Sequence, residues 1–162
     1  MRSRRVGIAT FYRLLEEHGT AQNALDHLPE VARAAGVENY APCSKDFAIS
    51  ELKRGSQCGA KLIFRGTPEY PTTLNDLVDA PPLFWAAGNI DLLHKPVLGI
   101  VGARNASSLG TRMVRFLTST LGEEGYVTCS GLARGVDAAA HAASIGTGTI
   151  AVLGGGVDFV YP

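Results

Sequence analysis

The sequence has 162 residues, of which 46% are hydrophobic and 19% are charged. This composition is typical of a globular protein and excludes a disordered or fibrous chain. Lys and Arg together number 15, as do Asp and Glu, so any nucleic-acid binding must come from a local group of arginines. The three cysteines form no CxxC pair, which favours the reducing cytoplasm over secretion. No apolar run is long enough to predict a membrane span.

Short helices are predicted for residues 1–59. Apolar residues recur at helical spacing from Phe11 to His18, Gly19 ends that helix, and Thr20 is a suitable N-cap for the next one. Further helices are expected over 21–28, 30–35 and 45–57. Helices of this length are unstable alone, so we expect them to pack as a small bundle.

Residues 60–95 are predicted to connect the helical part to a second unit. KLIFRG and LFWAAG are typical of short strands, and the segment between them is rich in Pro, Thr and Asp. Proline interrupts the interior of both helices and sheets. The aromatic residues in and before this segment are expected to lie in the core or at the seam between domains rather than to stack on bases: they are Phe11, Tyr12, Phe64, Phe84 and Trp85.

Residues 96–162 show the pattern of an α/β unit. Apolar strands are predicted near 97–101, 126–130 and 149–153, with helices over 107–123 and 136–145 between them. Such an alternation predicts a parallel sheet in a three-layer αβα arrangement, covered on both faces. A doubly wound fold normally has two such units, so the sequence predicts a Rossmann-like sheet truncated after its third strand.

The turn after the first of these strands reads GARNASSLG and carries Gly102, Arg104 and Ser107. Arg104 occupies the place of the second glycine in a GxGxxG fingerprint, which argues against a standard NAD site, and the GxxxxGK[ST] motif of a P-loop is absent. What remains is a glycine turn, an arginine, hydroxyl groups and a helix N-terminus, which attract anions.

The turn after the second strand reads SGLARGVD and carries Ser130, Gly131, Arg134 and Gly135. Both turns belong to the carboxyl edge of a parallel sheet, where ligands of such folds bind. Two arginine-bearing turns on one edge predict a site for phosphate or a nucleic-acid backbone. The alternative is purely structural: tight turns, a serine N-cap and solvated arginines.

Asp137 and His141 are four residues apart and share a helix face. This spacing resembles an acid–base pair, but a local cap and a hydrogen-bonded histidine are the preferred interpretation, and no catalytic residue is predicted. His18, His27 and His94 lack the spacing of metal ligands, so neither a metal nor a cofactor is predicted.

Two stretches, VGARNASSLG and SGLARGVDAAAHAASIGTGTIAVLGGGVDFVYP, closely resemble the core of the DprA/Smf (DNA-processing A) family. TPEYPTTLNDLVDAPPLFWAAGN resembles the family's entry into that core, and FYRLLEEHGTAQNALDHLPE resembles its small helical, SAM-like domain. The resemblance implies a non-catalytic protein that binds single-stranded DNA in natural transformation and helps to load the RecA recombinase. It implies a homodimer in the full-length protein and anion-binding roles for Gly102, Arg104, Ser130, Gly131, Arg134 and Gly135. No membrane partner is expected, since no apolar run is long enough to span one.

Ala103 departs from the family pattern, since many members have serine there. The second half of the family's core, which carries most of the dimer and RecA surfaces, is expected to lie beyond Pro162. One alternative function is a nucleotide-processing enzyme of the lysine-decarboxylase-like (phosphoribohydrolase) group. Its PGGxGT turn and the glutamate after it are absent from this chain, but both are expected to fall beyond Pro162. A scaffold that binds partners through its helical part is the other alternative.

Overall fold

A computed structural model describes residues 1–158 of the chain. In chain order these residues form α1 (Ile8–His18), α2 (Ala21–Ala34), α3 (Lys45–Gln57), β1 (Lys61–Phe64), β2 (Leu83–Ala86), β3 (Val97–Gly99), α4 (Ser108–Glu123), β4 (Val127–Ser130), α5 (Val136–Ser144) and β5 (Thr149–Ala151). Within this range, none of the helices combines the length and the apolar character needed to cross a membrane. Tyr161 and Pro162, which end the second motif quoted above, lie outside the described residues.

The first two helices pack against each other around a small apolar core. Its buried members and the half-buried residues around them are Leu14, Ala24, Leu28, Val6, Val31 and Tyr40. Gly19 ends α1 with a φ of 75°, and the hydroxyl of Thr20 caps α2 by accepting a hydrogen bond from the N–H of Asn23 at 3.1 Å. The predicted helix end and cap are confirmed.

The prediction of two separate helices over 21–28 and 30–35 was wrong. The structure has one helix, α2, which continues through Pro29. Proline removes one backbone hydrogen bond and disturbs the preceding turn. The helix nevertheless continues because Ala24, Leu28 and Ala32 form one buried stripe, four residues apart, that spans the proline.

The third helix contacts a two-stranded sheet in the connecting segment. β1 and β2 are antiparallel, with Leu62 opposite Trp85. Gly55 of α3 lies so close to Trp85 that a Cβ atom there would be 2.2 Å from the indole ring. The connecting segment is also tied to α1, since the hydroxyl of Tyr12 donates to the carbonyl of Ala80 at 3.0 Å. The domain boundaries at residues 59 and 95 stay a prediction.

β3, β4 and β5 form a parallel sheet in that order. The two helices that connect them, α4 and α5, pack against each other and both contact β4, so they lie on one face of the sheet. This βαβαβ unit, preceded by the helical part, confirms the predicted α/β fold class with a Rossmann-like parallel sheet. Within residues 1–158 the connecting helices cover one face, so the third layer of the predicted αβα arrangement stays a prediction.

The parallel strands are shorter than the apolar runs that predicted them. Beyond the end of β3, the N–H of Ile100 still donates to the carbonyl of Cys129 at 2.8 Å. Beyond the end of β5, the N–H of Val152 donates to the carbonyl of Ser130 at 2.9 Å. After these bonds the chain enters the turns that form the candidate site.

Candidate functional site

Three turns meet at the carboxyl edge of the parallel sheet and enclose a cleft of about 320 Å³. The first turn follows β3, the second follows β4 and the third follows β5. We call this the arginine cleft, and the residues that line it are Arg104, Gly131, Leu132, Ala133, Arg134, Leu153, Gly154 and Gly155. Ligands of open parallel sheets bind at this edge.

Arg104 and Arg134 reach the arginine cleft from the first and the second turn. Both residues are exposed. The ion pairs formed within residues 1–158 involve Arg2, Arg13 and Lys61, and neither cleft arginine. A guanidinium without a carboxylate partner can present its forked N–H donors to phosphate oxygens.

Gly102 and Gly135 bring the first two turns into contact. Gly135 has a φ of 84°, and a Cβ atom there would lie 2.3 Å from the carbonyl oxygen of Ala103. A Cβ atom at Gly102 would lie 2.7 Å from the side chain of Val136. The N–H of Val136 also donates to the carbonyl of Ala103 at 3.2 Å. These two glycines therefore set the spacing of the two turns, and neither lines the cleft.

Ser107 and Ser130 use their hydroxyl groups within the fold. Ser107 caps α4, since its Oγ accepts a hydrogen bond from the N–H of Gly110 at 3.1 Å. Ser130 is buried, and its Oγ donates to the carbonyl of Ile100 at 2.6 Å, which links β4 to the chain after β3. Both hydroxyls stabilise the turns that carry the arginines, and neither residue lines the cleft.

The side chain of Asp137 stabilises the second turn by accepting hydrogen bonds from its backbone. Its Oδ2 accepts hydrogen bonds from the N–H of Gly131 at 3.2 Å and from the N–H of Ala133 at 3.4 Å. The carboxylate is buried at the first turn of α5, where the helix dipole stabilises a negative charge. These bonds occupy the N–H groups of Gly131 and Ala133, so neither of the two is free to bind an anion.

His141 is buried behind the second turn and joins α5 to β5. Thr149 Oγ1 donates its proton to the carbonyl oxygen of Thr128 at 3.2 Å. Because that proton is used, Thr149 Oγ1 acts as the acceptor for His141 Nδ1–H, and the two atoms are 2.7 Å apart. Within the described residues, Nε2 has no hydrogen-bond partner. Desolvation lowers the pKa of His141, while Asp137 and the backbone of Ser130 act in the opposite direction.

Five cleft residues were not among the predicted site residues: Leu132, Ala133, Leu153, Gly154 and Gly155. Leu153, Gly154 and Gly155 belong to the third turn, and the glycine run after the third strand was the signal that could have found them. Leu132 has a φ of 55°, which is unusual for a bulky residue and costs backbone strain. A single sequence gives no signal for such a conformation.

The fold and the site define an α/β protein of the Rossmann-like class whose strand ends form an arginine-bearing cleft. The family model described as DNA recombination-mediator protein A matches residues 61–162. A second model, the DprA-like N-terminal HHH domain, matches residues 1–53, the helical part that sequence reasoning compared to a SAM-like domain. The chain therefore belongs to the DNA recombination-mediator protein A family.

Two curated relatives are similar over the same region. DNA processing protein DprA of Streptococcus pneumoniae is 44% identical over 95 residues, which are 57% of this chain and 33% of that protein. DNA processing protein DprA of Bacillus subtilis is 39% identical over 107 residues, which are 64% of this chain and 36% of that protein. The matched region thus spans about a third of the length of these relatives.

Two solved structures share the fold. The structure of DNA processing protein A from Streptococcus pneumoniae superposes with a TM-score of 0.62 and 30% identity, and the match covers 97% of this chain and 61% of that one. DNA processing protein A from Helicobacter pylori, whose structure concerns its single-stranded DNA binding mode, gives a TM-score of 0.57 and 27% identity. That match covers 64% of this chain and 46% of the other.

Proposed function

We propose that this chain binds single-stranded DNA through the phosphates of its backbone at the arginine cleft. The observation that carries the proposal is that Arg104 and Arg134, from two different turns, line one cleft and have no ion-pair partner among the described residues. Contacts of guanidinium groups with phosphate oxygens fix the position of a strand without reading its sequence. The single-stranded DNA binding of the Helicobacter pylori protein supports this choice of ligand.

The cleft favours binding over catalysis. Its described lining residues offer two guanidinium groups, apolar side chains and glycines, and they include no carboxylate, imidazole, thiol or hydroxyl group. General acid–base or nucleophilic catalysis needs such a group within hydrogen-bond reach of the substrate. Asp137 and His141 are both buried and bonded to neighbouring elements. We therefore propose a binding protein rather than a nucleotide-processing enzyme.

At the level of the cell, we propose a role in DNA processing and recombination in the cytoplasm, with loading of the RecA recombinase during natural transformation. Membership of the family and the names of the relatives support the broader role. RecA contact and homodimer formation by the full-length protein follow from the family resemblance alone. Pull-down of RecA by the DNA-bound protein tests the first, and sedimentation of the full-length protein tests the second.

Replacing Arg104 or Arg134 by Ala tests the DNA site. We expect weaker binding of a fluorescent single-stranded oligonucleotide, by a similar factor for every base composition, because a phosphate contact carries no sequence information. The slope of log affinity against log salt should fall by roughly 0.7 for each phosphate contact removed. Lysine at either position should restore the charge but only part of the affinity, since it lacks the fork of guanidinium. Fluorescence anisotropy over a salt series measures both quantities.

The matched control is Arg33→Ala, which removes an exposed arginine at the end of α2. It should leave both the affinity and the salt slope at the wild-type values. If Arg104→Ala and Arg134→Ala keep the wild-type salt slope while circular dichroism shows an intact fold, the two turns are structural and the proposal is wrong.

A further inference from the structure

A second cleft, of about 250 Å³, lies between α3, β2 and the described C-terminal residues. We call it the aromatic cleft, and the residues that line it are Arg2, Phe47, Glu51, Arg54, Gly55, Cys58, Trp85, Gly156, Val157 and Asp158. Two aromatic rings beside arginines are the side chains that hold unpaired bases in single-stranded nucleic-acid sites.

Trp85 is held in place by its neighbours. The six-membered part of its indole packs against Gly55, where a Cβ atom would come within 2.6 Å of three ring carbons. Its Nε1–H donates to Glu51 at 3.3 Å, and Glu51 also accepts hydrogen bonds from Arg2. A ring fixed in this way loses little conformational freedom when a second ring stacks on it.

Phe47 supplies an exposed ring beside the fixed indole. It lies in the first turn of α3 and is 52% exposed. An aromatic ring that is exposed in a cleft can stack on an unpaired base. Arg54, on the same helix, forms no ion pair within residues 1–158, so its guanidinium plane is available to a base.

The charges of the aromatic cleft cancel. Arg2 is paired with Glu51, and the formal charge of Arg54 is balanced by that of Asp158, which also lines the cleft. A phosphate group would gain little electrostatic attraction there, so the cleft favours the uncharged base of a nucleotide. This sets it apart from the arginine cleft, whose lining residues are basic or neutral.

The two clefts are continuous along the chain. Leu153, Gly154 and Gly155 line the arginine cleft, and the next three residues, Gly156, Val157 and Asp158, line the aromatic cleft. Three consecutive glycines form this shared border. Because glycine has no side chain, a strand can pass over it close to the backbone.

We propose that the aromatic cleft is a second subsite for the same DNA strand, which stacks a base on Trp85 and Phe47 while its phosphates are held in the arginine cleft. The inference rests on the proposed function, because it needs a single strand bound at the first site. It adds a contact from the helical part of the chain, and it makes affinity depend on strand length. For Trp85 it replaces the expectation, drawn from the sequence, of a role in the core or at a domain seam alone.

Trp85 is the one tryptophan of the sequence, so its fluorescence reports on this cleft directly. Wild-type protein is titrated with oligothymidylates of about 4 to about 16 nucleotides, a span typical of single-strand sites. We expect the short strands to bind without quenching and strands long enough to reach both clefts to quench Trp85. Affinity should rise at the same length, since stacking of one base contributes about tenfold.

The Phe47→Ala variant distinguishes the contribution of the aromatic cleft to DNA binding from that of the arginine cleft. It should lower the affinity for long strands about tenfold, leave short strands unaffected and keep the wild-type salt slope, because it removes stacking and no charge. Phe64→Ala removes a ring of similar exposure, 46%, that does not line the cleft, and it should have none of these effects.

The outcomes distinguish the two proposals. Binding of long strands with unchanged Trp85 fluorescence, or with the same affinity in Phe47→Ala, would overturn the second subsite and leave the first intact. Absence of binding by the wild-type protein at any strand length would overturn both. A Trp85 signal that depends on protein concentration without DNA would identify a second copy of the chain as the occupant, which also overturns the inference.

Discussion

Gly135 has a positive φ, which other residues rarely adopt, and a Cβ atom there would clash with the backbone of the first turn. We expect Gly135→Ala to destabilise the protein by about 3 kcal/mol, because positive φ and contact with two carbonyl groups of the first turn both oppose the substitution. The two turns should move apart, and DNA affinity should fall together with stability. Urea unfolding measures the loss of stability, and fluorescence anisotropy measures the loss of DNA affinity.

Gly146→Ala is the control, since a Cβ atom there meets nothing within 4 Å and its φ is not positive. Its free energy of unfolding should equal that of the wild type or exceed it slightly. Equal stability of the Gly135 and Gly146 variants would contradict the close approach of the two turns.

The site itself stays a prediction, and the sequence did not distinguish the residues that line the arginine cleft from those that support it. The carboxyl-edge argument predicted which turns meet, because that follows from strand direction alone. It could not separate Arg104 and Arg134, which line the cleft, from Gly102, Ser107 and Ser130, which stabilise its surroundings. Whether a hydroxyl faces a ligand or the backbone depends on turn geometry, and a single sequence does not specify that geometry.

At the scale of elements, the periodicity of apolar residues predicted α3, the parallel strands and their helices well. It was wrong at Pro29, because the buried stripe of α2 outweighs the local effect of proline. The exact strand ends were also missed. Ile100 and Val152 each make one more backbone hydrogen bond to β4 beyond the strand ends. The apolar run continues into the turns after that point, so hydrophobicity alone does not show where strand pairing stops.

The contact of α5 with β5 through His141 gives the fold a dependence on pH. Burial lowers the pKa of His141 from its ordinary value of 6.5. The unfolded chain therefore binds a proton more readily than the native protein, and the free energy of unfolding rises with pH between the two pKa values. We expect urea midpoints to fall as the pH drops below 6.5 and to recover above it.

His141→Gln should have a lower stability but a flatter pH profile, because the titrating group is gone. His94→Gln changes an exposed histidine before β3 and should keep the wild-type profile. A profile in His141→Gln as steep as that of the wild type would assign the pH dependence to other groups.

At the scale of the whole molecule, β3 is an edge strand of the described sheet. β3 pairs only with β4 within residues 1–158, and both Val97 and Leu98 are exposed. α4 carries a second group of exposed apolar side chains, Leu109, Met113, Phe116 and Leu117. Unpaired edge strands and exposed apolar patches promote association between copies.

We expect the 162-residue chain to self-associate as its concentration rises. Introducing charge with Val97→Lys and Phe116→Glu together should shift the chain towards monomer, because a charged edge disfavours pairing. Light scattering after size exclusion measures the mass. Leu52→Lys, at an exposed leucine of α3, is the control and should not change it. A wild-type chain that stays monomeric at all concentrations would contradict the prediction.

Arg2 and Asp158 lie near opposite ends of the described chain, yet both line the aromatic cleft. Contacts between residues so far apart in sequence form slowly, because a long loop must close before they contribute. During synthesis on the ribosome, the N-terminal helices emerge and pack long before residues 156–158 leave the exit tunnel. Until residues 156–158 emerge, a nascent chain has only the part of the aromatic cleft that Arg2, α3 and Trp85 supply. We therefore expect the surface proposed to hold a base to be complete only once translation has passed the sheet.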